Sequence, residues 1–157
     1  MTHTFQAESQ AIDFNFNEAA DCWQAKAIID DLEIKIEIDF LFHRDKEIDW
    51  EHFAKFFKLI SQKGQLTELI DDSEDLVNEL GKAFYRKSKE TSEWRMDFTN
   101  SIYYNGKTGG AISGGYAYSL IFNFSVHKDN KIWGDEYGNY LVDVENFAIV
   151  GTRRIQC

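Results

Sequence analysis

The spacing of hydrophobic and polar positions changes twice along the chain. Ile12, Phe14 and Phe16 alternate with Asp13 and Asn15, which predicts a short strand. "CWQAKAII" (22–29) and "EIKIEIDFLF" (33–42) follow. In the second, Ile34, Ile36, Ile38, Phe40 and Phe42 share one face and Glu33, Lys35, Glu37 and Asp39 the other. A strict period of two describes a half-buried antiparallel strand, and the intervening "DDL" reads as a hairpin turn. By the same pattern, Glu37 and Asp39 are neighbours on a solvated sheet face.

The period then becomes helical. Trp50, Phe53, Phe56, Phe57 and Ile60 predict one helix, with Asp49 as its cap and Gly64 as its stop. Leu66, Leu69, Ile70, Leu76, Val77, Leu80 and Phe84 predict a second helical segment from about Gln65 to Lys87. Asp72 or Ser73 could divide it by capping a new start. From Trp94 the period returns to two: "WRMDFTNSIYY", "YAYSLIFNFSV", and "NYLVDVENFAIVGTRRI" as one bent strand or two, with Gly151 a candidate bulge. Segregated runs of this kind predict an α+β fold with an antiparallel sheet of about six to seven strands and two helices, in the order strands–helices–strands. Residues 1–10 are polar and predict a flexible N-terminal tail ahead of a single domain over 11–157.

Composition supports a folded domain: 43% hydrophobic and 15% aromatic residues supply enough apolar area for a core. Proline is absent, which excludes proline-rich linkers and ligand motifs. The net charge of −10 argues against nucleic acid and anionic membranes as partners. Cys22 and Cys157 form no C-x-x-C pair and read as free thiols. No apolar run approaches a membrane span, and the N-terminus has no signal-peptide pattern. A cytoplasmic location is the expectation.

"NGKTGGAISGGY" (105–116) contains two fragments of catalytic motifs. Gly106-Lys107-Thr108 ends like a phosphate loop, but the first glycine that loop requires falls on Ser101. Ala111-Ile112-Ser113-Gly114-Gly115 approaches a nucleophile elbow. Both motifs need a helix next, and a strand pattern follows instead. The stretch therefore reads as a long glycine-rich hairpin loop, poorly ordered in the free protein. His3, His43, His52 and His127 form no metal spacing and read as separate surface residues. "DDSEDLVNE" has Leu76 where a calcium loop requires glycine. Neither a metal nor a cofactor is indicated, and no nucleophile–base pattern points to an enzyme.

The most informative charge feature is the window 64–81, which holds Glu68, Asp71, Asp72, Glu74, Asp75 and Glu79 and no Lys or Arg. Acids near a helix start complement its dipole, and they also face solvent. Asp30, Asp31 and Glu33 form a second cluster at a hairpin tip. Asp135 and Glu136, beside Trp133, form a third. These residues, Glu33 and Glu79 apart, are the candidate partner contacts.

In size, charge and element order the whole chain resembles the small acidic α+β immunity proteins that bacteria pair with secreted toxins. It is similar, too, to the uncharacterised bacterial domains found among them. The nearest local likeness is the C-terminal "YLVDVENFAIVGTRR". The resemblance implies a protein-binding inhibitor whose partner is a cognate, cytoplasm-acting toxin such as a basic nuclease. Carboxylates would stand in for phosphates and cover the toxin's cleft. The alternative is a small-ligand or enzymatic domain, with Tyr103, Tyr104, Tyr116 and Tyr118 lining an apolar pocket.

Overall fold

The computed structural model describes residues 1–39, 48–85, 94–106, 115–128 and 131–155; the side chains of 39, 83–85, 94–95, 124–128 and 131–138 are outside the description. The chain runs β1 (Thr2–Gln6), β2 (Ala11–Asn17), β3 (Cys22–Ile29), β4 (Leu32–Asp39), α1 (Trp50–Ile60), α2 (Gln65–Tyr85), β5 (Trp94–Tyr104), β6 (Ala117–Lys128), β7 (Lys131–Glu145) and β8 (Ala148–Ile155). This is an α+β fold in the predicted order of strands, helices and strands.

The sheet has eight strands in sequential order, not six to seven. Part of the difference is at the N-terminus. Thr2–Gln6, assigned from polarity to a flexible tail, pair with Ala11–Asn15 as β1. Phe5 is the reason a polar segment docks: its ring meets Phe53 at 5.1 Å and Phe57 at 5.7 Å. The rest is the choice left open at the C-terminus, where the stretch read as one bent strand or two is two, β7 and β8, turning at Asn146, which has φ 56°.

Neighbouring strands are antiparallel except β4 and β5, which run parallel. The connection through α1 and α2 causes this. A chain leaving one end of a strand and crossing the sheet by helices re-enters in the same direction.

The period-two residues fill one sheet face. Ile12, Phe14, Ile34, Ile36, Ile38, Ile102, Tyr118, Leu120, Phe122 and Val142 are all essentially inaccessible. They join Phe53, Phe56 and Ile60 of α1 and Leu66, Leu69 and Val77 of α2 in one core. Asp49 caps α1 as predicted, accepting from the His52 N–H at 2.9 Å. α2 is continuous through Asp72 and Ser73, because Ser73 points into the core with the apolar stripe. Phe40, Phe42 and Lys87 lie outside the described residues.

Among the described residues, three irregularities mark the strands, one of them between the β6–β7 pairs Asn123–Asn139 and Ser125–Gly134. Residues 99–101 of β5 bulge between the pairs Phe98–Phe122 and Ile102–Leu120. In β8 the register shifts beside Gly151, leaving Val150 as the extra residue. The face away from the helices is not uniformly solvated. Glu37 is only 8% exposed, because Gln24 Nε2 donates to its carboxylate at 2.9 Å and Lys35 Nζ pairs with it at 2.5 Å. Cys22 is a buried thiol on the same face, its Sγ accepting from Gln24 Nε2 at 3.4 Å.

Candidate functional site

Two of the three acidic clusters meet. The β3–β4 turn has only Asp30 and Asp31 between the paired residues Ile29 and Leu32. Both have positive φ, 51° and 62°, as a tight primed hairpin turn requires. Neither is glycine, so the turn is held by something beyond its own preference.

That support comes from α2. The position before this helix is Gly64, which has φ 79° and no side chain to cap the exposed N–H groups. Asp30 caps them from across the fold. Its Oδ1 accepts from Gly64 N at 2.9 Å, and its Oδ2 accepts from Thr67 N at 3.3 Å and Thr67 Oγ1 at 3.2 Å. Gln10 braces the other side of the hairpin. Its amide accepts from Ile28 N at 2.9 Å and donates to Ile28 O at 2.8 Å.

The turn and the first half of α2 enclose an open groove of about 960 Å³. Asp31, Glu68, Asp71 and Asp72 line it, with Ile28 and Lys63. All four acids are exposed, and among the described residues none forms an ion pair. Ile28 is 53% exposed, a large aliphatic side chain beside these carboxylates. Glu68 lies in the first turn, where the helix dipole favours an acid. Asp71 and Asp72 lie three and four residues further on, where the dipole has faded and spacings of i, i+3 and i+4 bring like charges together.

The remaining candidates separate. Asp75 is exposed one turn beyond the groove. Glu74 is half-buried on another side of α2, its carbonyl accepting from Asn78 Nδ2 at 2.8 Å. Asp30 lines the groove, but its carboxylate is committed to Gly64 and Thr67. Trp133, Asp135 and Glu136 lie within β7, with Trp133 opposite Val126; their side chains are outside the description.

The tyrosines divide between core and stem. Tyr104 and Tyr118 are buried, the first at 4.7 Å and the second at 5.2 Å from the Phe56 ring centroid. Burial pushes both phenols well above the ordinary tyrosine range. Tyr118 donates to Asn146 O at 2.5 Å. Tyr104 shares a hydrogen bond with His52 Nδ1, and Tyr116 lies 4.9 Å from the His52 ring. His52, expected as a separate surface residue, is thus half-buried where the helix meets both stems of the glycine loop. His3, too, is engaged, stacked on Trp50 at 3.7 Å. The loop itself, 107–114, is outside the described residues, as is the expectation about its order.

The groove's cross-connection left one trace in the sequence: a helix starting after Gly64 with no local capping side chain. Which distant acid supplies the cap was not legible. Among the described residues no group of His, Cys, Asp or Glu could hold a metal, and no helix is long and apolar enough to cross a membrane. Compared with models of protein families, with curated proteins and with solved structures, the chain matches none.

Proposed function

We propose that the chain is a protein-binding module of the immunity type, an inhibitor that receives a basic surface of its partner in the groove between the β3–β4 turn and α2. The observation that carries this reading is the convergence of Asp31, Glu68, Asp71 and Asp72, exposed and without ion pairs among the described residues, around the exposed Ile28. Packing carboxylates at helical neighbour spacing costs repulsion that the isolated fold does not recover. A cationic partner recovers it on binding. Complementary charge also raises the association rate and rejects acidic competitors. Covering the exposed Ile28 would add apolar burial to the charged contact.

The partner of this reading is a cognate toxin acting in the cytoplasm, with a nuclease the natural example. A surface built to hold phosphates is cationic, and a row of carboxylates occupies it in their place. Asp31, Glu68, Asp71 and Asp72 are the contact residues, and Asp75 extends the same charged face.

The test compares wild type with the combined variant Asp31→Asn/Glu68→Gln/Asp71→Asn/Asp72→Asn. Each is used to capture partners from a lysate of the source cell, and association rates are then measured against ionic strength. Wild type should retain a basic protein whose association slows as salt rises. The variant should lose it and show a flatter salt dependence. Equal capture by both proteins, with equal salt slopes, would remove the groove from the account.

A further inference from the structure

We propose that Asn105 is a site of covalent self-modification by deamidation, restrained in the fold by Ser119. Asn105 is the only asparagine in the chain followed by glycine. In the reaction, the backbone nitrogen of Gly106 attacks Cγ of Asn105. The N–Cγ bond forms, the Cγ–Nδ2 bond breaks, and the proton lost from the Gly106 nitrogen balances the departing ammonia. Water then opens the resulting succinimide at either carbonyl, leaving an aspartyl or isoaspartyl residue. Water is the sole co-reactant. Glycine favours the attack because no Cβ shields its nitrogen or restricts its backbone.

The structure places this pair at the end of β5, where Gly106 has φ 65°. The Asn105 N–H donates to Ala117 O at 3.1 Å, closing the stem of the loop. Its side-chain Nδ2, the leaving group, donates to Ser119 Oγ at 3.1 Å. Ser119 is fully buried and donates its one proton to Asp143 Oδ1 at 2.6 Å. Asp143 is held in turn by Arg153 Nε at 3.1 and 3.2 Å. The chain of bonds therefore anchors the amide that must leave.

The product would undo the arrangement that delayed it. An aspartate at 105 has no proton to offer Ser119, whose own is committed to Asp143. Two acceptors would then face each other, with a second carboxylate close behind. The stem bond to Ala117 would weaken, so modification loosens the base of the glycine loop irreversibly. Asn100 provides an internal comparison. It is exposed at φ 55° in the β5 bulge, but Ser101, which follows it, carries a Cβ.

The experiment incubates wild type, Ser119→Ala and urea-unfolded wild type in mildly alkaline buffer, then maps deamidated and isoaspartyl peptides by mass spectrometry. Far-UV circular dichroism establishes that the variant is folded. Modification in folded wild type should map to Asn105 and run slower than in the unfolded chain. Ser119→Ala should accelerate it about fivefold, the factor expected for losing one ordinary hydrogen bond. If the variant unfolds, the comparison of folded with unfolded wild type decides the matter. The proposal is overturned if Asn100 reacts first, if folded wild type reacts as fast as the unfolded chain, or if a folded Ser119→Ala reacts no faster than wild type.

Discussion

Asp30, on the β3–β4 turn, caps α2 by accepting hydrogen bonds from both the N–H and the hydroxyl of Thr67. The two residues are 37 positions apart in the chain. The bond joins the sheet to the helix at the groove, so the geometry of the acidic surface depends on a carboxylate that is itself occupied. Asp30→Ala should therefore cost about 1–2 kcal/mol of stability, the usual loss on removing a capping side chain. Urea denaturation measures this, and hydrogen exchange should show the Gly64 and Thr67 amides losing protection. Asp30→Asn should fall between wild type and Asp30→Ala: asparagine tolerates positive φ, but its single amide oxygen can accept from Gly64 or from Thr67 and its Nδ2 cannot accept from the other.

Asp31 should behave in the opposite way. Its backbone is strained at φ 62°, and its side chain is exposed. Asp31→Gly should raise stability by roughly 0.5–1 kcal/mol, because glycine is the preferred second residue of this turn. The same change deletes a proposed contact, so partner affinity should fall while the thermal midpoint rises. A variant that is less stable than wild type would show that Asp31 also supports the fold.

Gly115 has a different reason to be glycine. A Cβ there would lie 2.9 Å from Asn146 Nδ2. Asn146 Oδ1 accepts from Tyr116 N at 3.1 Å, and Asn146 N donates to Tyr116 O at 2.9 Å, so the turn between β7 and β8 clamps the start of β6. Gly115→Ala should cost about 1 kcal/mol, because the Asn146 side chain must move aside and give up its bond from Tyr116 N. Asn146→Gly keeps the positive φ and removes the clash. In a double-mutant cycle, the pair should therefore cost less than the sum of the single changes.

Alkaline pH should unfold the protein through its core. Tyr104 and Tyr118 have folded pKa values raised above the unfolded value of 10.0, chiefly by burial. The folded state thus holds phenolic protons that the unfolded state releases. Their contribution is complete below the unfolded value and is lost progressively as pH rises above it. Tyr118→Phe should flatten that alkaline decline in a series of urea melts. At neutral pH it should cost about 1 kcal/mol for the hydrogen bond to the Asn146 carbonyl.

The sequence by itself determined the elements and the faces they bury. Ile34, Ile36 and Ile38 on alternate positions, and Phe53, Phe56, Phe57 and Ile60 at helical spacing, have one way to bury their apolar surface. Their local period therefore dictates strand or helix. It determined, too, that the acids from Glu68 to Glu79 would lie on a helical segment, because the apolar stripe at helical spacing leaves the charged side chains a solvated face. Tertiary structure decided everything that depends on distance. It docked β1 through Phe5, made β4 and β5 parallel through the helical crossover, and buried Glu37 on a face expected to be solvated. It also sorted acids of one chemistry into different roles. Asp30 is a cap because its turn reaches an α2 terminus that lacks a capping side chain, whereas Asp31, next to it, faces the groove. Local propensity acts between neighbours in the chain; hydrogen bonds and burial act between neighbours in space, and only the folded arrangement specifies those.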